Sequence, residues 1–157
     1  MKQHPAVLAL IAAAVVTALS QAQSAANLSG EWKMNPGKSD FGGVPAPELI
    51  TRSIKYADPT LEISTHQKGA QGETTSELKY TTDGKECVNK MPGGEAKGTA
   101  KWQGGNLVIQ SVRNFQGTEV KSSETWALSE GGKVLTIASH ISLPGRDSDL
   151  KLVFEKQ

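Results

Sequence analysis

"NLVIQSVRNF", residues 106–115, places Leu107, Ile109, Ser111, Arg113 and Phe115 on one face and Val108, Gln110, Val112 and Asn114 on the other. A period of two is that of an extended strand with one side in a core. The same alternation returns in Leu61-Glu62-Ile63-Ser64-Thr65, Leu135-Thr136-Ile137-Ala138-Ser139 and Leu150-Lys151-Leu152-Val153-Phe154. Turn formers precede each run: Asp58-Pro59, Gly104-Gly105-Asn106, Gly131-Gly132 and residues 145–149. With further turn signals at 69–72, Asp83-Gly84, 92–94 and Gln116-Gly117, strands recur every 8 to 14 residues or so, about ten in all. No helix-length segment interrupts them. A meander of hairpins removes its exposed edges by closing on itself, so the spacing predicts an all-β, up-and-down antiparallel barrel of about 8–10 strands.

Ahead of this meander, Lys2 and the apolar run Ala6–Leu19, broken only by Thr17, are too short to cross a hydrocarbon core of about 30 Å and match a signal peptide. Residues 1–26 are therefore expected to be removed, by cleavage after Ala22 or Ala26, leaving one domain over 27–157 in a secreted or periplasmic location. The single cysteine, Cys87, neither sits at the cut to carry a lipid nor has a partner for a disulfide, so the fold must rest on its core. The whole chain carries 17 basic and 16 acidic residues. Loss of Lys2 brings the mature net charge to zero, which disfavours nucleic acid and anionic membranes as partners. A soluble monomer, with no membrane insertion of the mature chain, is the expectation.

Near the start of the domain, "Gly30-Glu31-Trp32" resembles the Gly-x-Trp opening of the calycin barrels, the lipocalins and fatty-acid-binding proteins. "Gly30-Glu31-Trp32-Lys33-Met34" is similar to the first strand of a fatty-acid-binding protein, "Lys101-Trp102-Gln103-Gly104" to a turn in its later half, and "Phe154-Glu155-Lys156" to its last strand. The chain as a whole, over residues 28–157, looks most like the small secreted lipocalin-like proteins of bacteria. The resemblance implies that Trp32 plugs one end of the barrel, with Gly30 admitting close backbone approach, and that the interior takes a small hydrophobic or amphipathic molecule.

Two departures limit what it implies. Fatty-acid-binding proteins follow their first strand with two lid helices, whereas Pro36, Gly37, Gly42, Gly43, Pro45 and Pro47 here tolerate none. Their carboxylate-binding Arg-x-Tyr pair in the last strand corresponds here to Leu152 and Phe154, so that clamp does not carry over.

Phase supplies other candidates for a ligand site. The series Ile50-Arg52-Ile54-Tyr56 and Leu107-Ile109-Ser111-Arg113-Phe115 put Arg52 and Arg113, two of only three arginines, on the inward side. An unpaired guanidinium in an apolar wall costs several kcal/mol. An anionic ligand group would relieve that cost, as would snorkelling to water or pairing with a carboxylate such as Glu124. Trp102 and Trp126 fall in the inward series Gly98-Ala100-Trp102 and Glu124-Trp126-Leu128, where small neighbours leave room for a cavity. Candidate ligand-binding residues are thus Arg52, Tyr56, Trp102, Arg113, Phe115 and Trp126.

For chemistry the chain offers little. His66 and His140 fall on the outward phase, and with Cys87 they lack the short-range spacing of a metal site, so no metal or cofactor is expected. No Gly-x-Ser-x-Gly elbow, phosphate loop or His-Glu-x-x-His is present, and no catalytic residue set can be named. Three uses follow from such a barrel: a non-catalytic carrier of a small apolar or amphipathic molecule, a filled barrel acting through its surface as an inhibitor or interaction module, and an enzyme using the cavity. A void of roughly 300 Å³ or more would favour the first and a filled interior the second.

Overall fold

The structure is a computed structural model that describes residues 26–157; the leader expected over 1–26, all but its last residue, lies outside them. Ten strands are present: β1 (Gly30–Met34), β2 (Leu49–Ala57), β3 (Thr60–Gly69), β4 (Gly72–Thr81), β5 (Cys87–Met91), β6 (Gly94–Gln103), β7 (Asn106–Phe115), β8 (Thr118–Ser129), β9 (Val134–Leu143) and β10 (Arg146–Lys156). The four runs with the clearest alternation lie in β3, β7, β9 and β10. Only two short 3₁₀ turns, Pro36–Lys38 and Glu130–Gly132, interrupt the described chain.

The strands form one sheet in the order β4-β3-β2-β1-β10-β9-β8-β7-β6-β5, every neighbouring pair antiparallel. This is a meander whose first strand joins its last, as Trp32 and Met34 pair with Lys156 and Phe154. The barrel is nearly closed. Its one unladdered seam lies between β4 and β5, where a side chain replaces the backbone pairing. Asn89 accepts the Lys79 N–H at 2.6 Å and donates to the Lys79 carbonyl at 3.1 Å, and it is buried. An amide side chain has the donor and acceptor of a peptide group, so Asn89 serves as one rung of ladder.

The two ends differ. At one end the turns around 58–59, 82–86, 104–105 and 130–133 surround a packed floor of Leu28, Trp32, Leu61, Leu107 and Leu135, each at most 1% exposed. Burying such side chains contributes about 1.5–3 kcal/mol apiece. At the other end, inward-phase residues Gln67, Thr74, Arg113 and Phe115 are exposed, and the barrel is open.

Trp32 is the plug its position suggests. It is 1% exposed, and its indole N–H donates to the Leu28 carbonyl at 3.0 Å. Gly30 has φ +144°, and a Cβ there would stand 2.6 Å from the Lys156 side chain, whose ammonium lies 5.4 Å from the Trp32 ring centroid. The absence of a side chain at Gly30 lets Lys156 cross above the indole.

The Pro/Gly-rich stretch after β1 patches the wall. Asn35 caps the 3₁₀ turn, accepting from the N–H groups of Gly37 and Lys38. The chain then rejoins β10: Asn35 donates to Val153, Ser39 Oγ accepts from the Val153 N–H, and Asp40 bridges Lys151 in both directions. Five residues of β1 are too few to line the 11 of β10, and this irregular segment continues the strand. As the prolines and glycines imply, no lid helix forms here.

Candidate functional site

Midway between the packed floor and the open end lies a partly open chamber of about 60 Å³. Ile63, Leu78, Ile109 and Trp126 supply its apolar wall; Arg52, Thr65, Tyr80, Ser111, Ser122 and Glu124 make it polar. A space of that size holds a few waters or the polar head of a larger molecule. It falls well short of the volume that would enclose a whole ligand.

Arg52 reaches the chamber from β2 because its inward phase follows Ile50 and precedes Ile54, both buried. Its guanidinium carbon stands 5.2 Å from the Trp126 ring centroid and 5.0 Å from that of Phe154. Two ring faces offset part of the desolvation cost, up to about 2 kcal/mol when water is excluded. They supply no hydrogen bond. Nε and Nη1 are buried and without a partner. Burial pushes the Arg52 pKa down, with Glu124 acting in the opposite sense, but a guanidinium titrates so high that the group stays charged.

Glu124 enters from β8 on the other side of the same chamber. Its Oε2 accepts the Trp126 indole N–H at 2.8 Å, and among the described residues no ion pair joins it to Arg52. Beside it Ser111 and Ser122, opposite one another across β7 and β8, share a hydrogen bond of 2.8 Å. Burial, reinforced by the Glu124 and Cys87 charges, raises the Tyr80 phenol to about 12, so Tyr80 is neutral at any physiological pH.

The other candidates fall elsewhere. Tyr56 and Trp102 form a cluster at the closed end, their ring centroids 5.9 Å apart, with the indole of Trp102 donating to the Tyr56 hydroxyl at 2.9 Å. That hydroxyl donates in turn to Asp58 at 2.9 Å. The room expected beside Trp102 is taken: Ala100 is fully buried, and a Cβ on Gly98 would meet the Tyr80 ring at 3.1 Å and the Gln110 carbonyl at 2.7 Å. Arg113 and Phe115 stand on the open rim, both exposed, with the guanidinium 5.8 Å from the phenyl centroid. Of the six candidates, only Arg52 and Trp126 share the chamber. His66 on β3, Cys87 on β5 and His140 on β9 are not brought together, and among the described residues no cluster of three His, Cys, Asp or Glu could hold a metal ion.

Sequence reasoning named Glu124 only as a pairing partner and missed Tyr80, Thr65, Ser111 and Ser122 as lining. The signal for Ser111 and Ser122 was present. The tight turn at Gln116-Gly117, both at positive φ, fixes the hairpin register that sets them face to face.

Solved structures with the same arrangement of strands are numerous. The zebrafish ileal bile acid-binding protein complexed with cholic acid aligns at TM-score 0.57 and 19% identity, covering 83% of this chain and 98% of that one. This chain has the calycin-type barrel fold. Also similar are a secretory abundant heat soluble protein from Ramazzottius varieornatus, at TM-score 0.60 and 12% identity over 82% of this chain and 94% of that one, and human cRBP IV, at 0.54 and 16% over 84% and 99%. Identities this low establish the shared calycin-type barrel and nothing finer. Neither a protein-family model nor a curated protein sequence matches the chain.

Proposed function

We propose that the mature chain is an exported, monomeric calycin-type barrel that binds one small amphipathic molecule without chemistry, its polar end at Arg52 and its apolar part toward the open end. The observation that carries this reading is the pair of buried, unpartnered Arg52 nitrogens facing an interior chamber. A protein that needed only a filled core gains nothing from such a group, because an apolar side chain of similar volume would serve as well or better. The shared fold with a protein crystallised with cholic acid supports the binding of a small amphipathic molecule. Ile50, Val120, Ile141 and Leu150 share the inward phase and offer an apolar wall for a tail.

Native mass spectrometry of protein purified from its own host tests the reading. A retained small molecule that is lost on Arg52→Met supports it. A bare chain in every preparation, with no response to added amphiphiles, shifts the reading to action through the surface. The modest interior volume favours that alternative, as do two open troughs outside the barrel: one of about 510 Å³ beside Lys55, Glu62 and Lys79, the other of about 560 Å³ beside Lys97, Lys121 and His140. Export is tested by sequencing the mature N-terminus from a periplasmic or culture fraction, expected at Gln23 or Asn27.

A further inference from the structure

We infer that the polar head received at Arg52 is an electrically neutral group that both accepts and donates hydrogen bonds, such as a primary amide, and not a bare anion. The inference rests on the interior-binding reading above and assigns the ligand's head chemistry. Among the described residues Arg52 and Glu124 are the only charged ones lining the chamber, so its charge is already balanced although the two side chains do not touch. A carboxylate or phosphate placed on Arg52 would leave the chamber one or more negative charges in excess beside Glu124, in surroundings where uncompensated charge is heavily penalised.

The hydrogen-bonding inventory points the same way. Arg52 offers unpartnered donors and can accept nothing. Glu124, ionised, can only accept, and the Trp126 indole occupies one of its oxygens. A head with an acceptor for Arg52 and a donor for Glu124 satisfies both without changing the net charge. The hydroxyls of Ser111 and Ser122, which pair in either direction, adjust to whatever remains.

The test compares two ligands of one tail length, octanamide and octanoate, titrated into the full mature protein near pH 7 by calorimetry and by Trp emission. Carboxylates titrate near 4 to 5 or so, so octanoate is ionised there. Octanamide is expected to bind at least tenfold tighter than octanoate. Glu124→Gln, which keeps an oxygen for the Trp126 indole while removing the charge, should narrow or invert that ratio. Octanoate binding as tightly as octanamide to the wild-type chain overturns the inference, and so does an unchanged ratio in a folded Glu124→Gln variant; in both cases interior binding itself stands. If neither ligand binds the wild-type protein, the interior-binding reading falls and takes the inference with it. The wild-type comparison decides even if the variant fails to fold.

Discussion

Trp32 and Arg52 are cross-strand neighbours on β1 and β2, and both face inward, yet they answer to opposite demands. Trp32 is buried with its one polar atom paired, so Trp32→Ala opens a void and should cost about 3–5 kcal/mol in urea unfolding; an unmoved midpoint would refute the plug. Arg52 is half-buried with two of its polar atoms, Nε and Nη1, buried and unpaired. Replacing it together with its counter-charge, as Arg52→Met with Glu124→Gln, should leave the unliganded protein as stable as wild type or more so, because buried charges trade evenly against apolar groups. A loss above about 2 kcal/mol would make the charges part of the scaffold. On the outside, His140 Nδ1 lies 2.6 Å from Asp149 Oδ1. That hydrogen bond raises the His140 pKa; desolvation opposes it, and the lesser effects of the Asp149 and Asp147 charges add to the rise. A raised histidine stabilises the fold fully below its unfolded value, about 6.5, and the contribution fades as pH climbs through the folded value. The melting-temperature gap between wild type and Asp149→Asn should therefore be widest below about pH 6 and close on the alkaline side.

At the scale of the strand, alternation made most of the fold legible. A side chain's face follows from its parity alone, which is why Arg52, Trp126 and the two outward histidines were placed from sequence. Parity carries no height along the barrel axis. Tyr56 and Trp102 share the inward phase with Arg52 and Trp126, yet sit a few residues nearer the closed end and bond to each other instead. Nor does it reveal what stands across the barrel: β2 and β8 are joined through three intervening strands, and only closure brings Glu124 opposite Arg52. The β4–β5 seam was equally invisible, since a side chain standing in for a peptide leaves no periodic trace. Asn89→Ala removes both of its bonds to Lys79 and leaves part-buried backbone groups without their side-chain partner. It should cost about 1–3 kcal/mol and speed hydrogen exchange at the Lys79 amide; protection equal to wild type would show that the seam is held by other contacts.

For the molecule as a whole, the expectation of an up-and-down barrel rested on tight turns between successive strands, and the sheet order agrees with it, with β1 against β10 joining first strand to last and the β4–β5 seam left unladdered. The size of the interior was not legible, because volume depends on how far each inward side chain reaches across the axis. Large buried side chains, among them Trp32, Trp126, Phe154, Leu28, Leu61, Leu107 and Leu135, fill the lower half, leaving a chamber fit for a head group. A ligand that binds only the folded barrel adds stability by mass action, about 2.7 kcal/mol at one hundred times its Kd. A thermal shift that rises with octanamide concentration and vanishes in Arg52→Met is the expected outcome; a shift unaffected by that substitution would place the ligand elsewhere.

Residues 35 to 47 run alongside β10 and then cross to β2 with no helix beyond the single 3₁₀ turn at Pro36–Lys38. Among the described residues no lid helix has to swing aside, so if a guest enters the barrel its loading should be paced by collision and by shedding of water from the incoming molecule. Stopped-flow traces would then speed up in direct proportion to guest concentration, without the plateau that a slow opening step imposes.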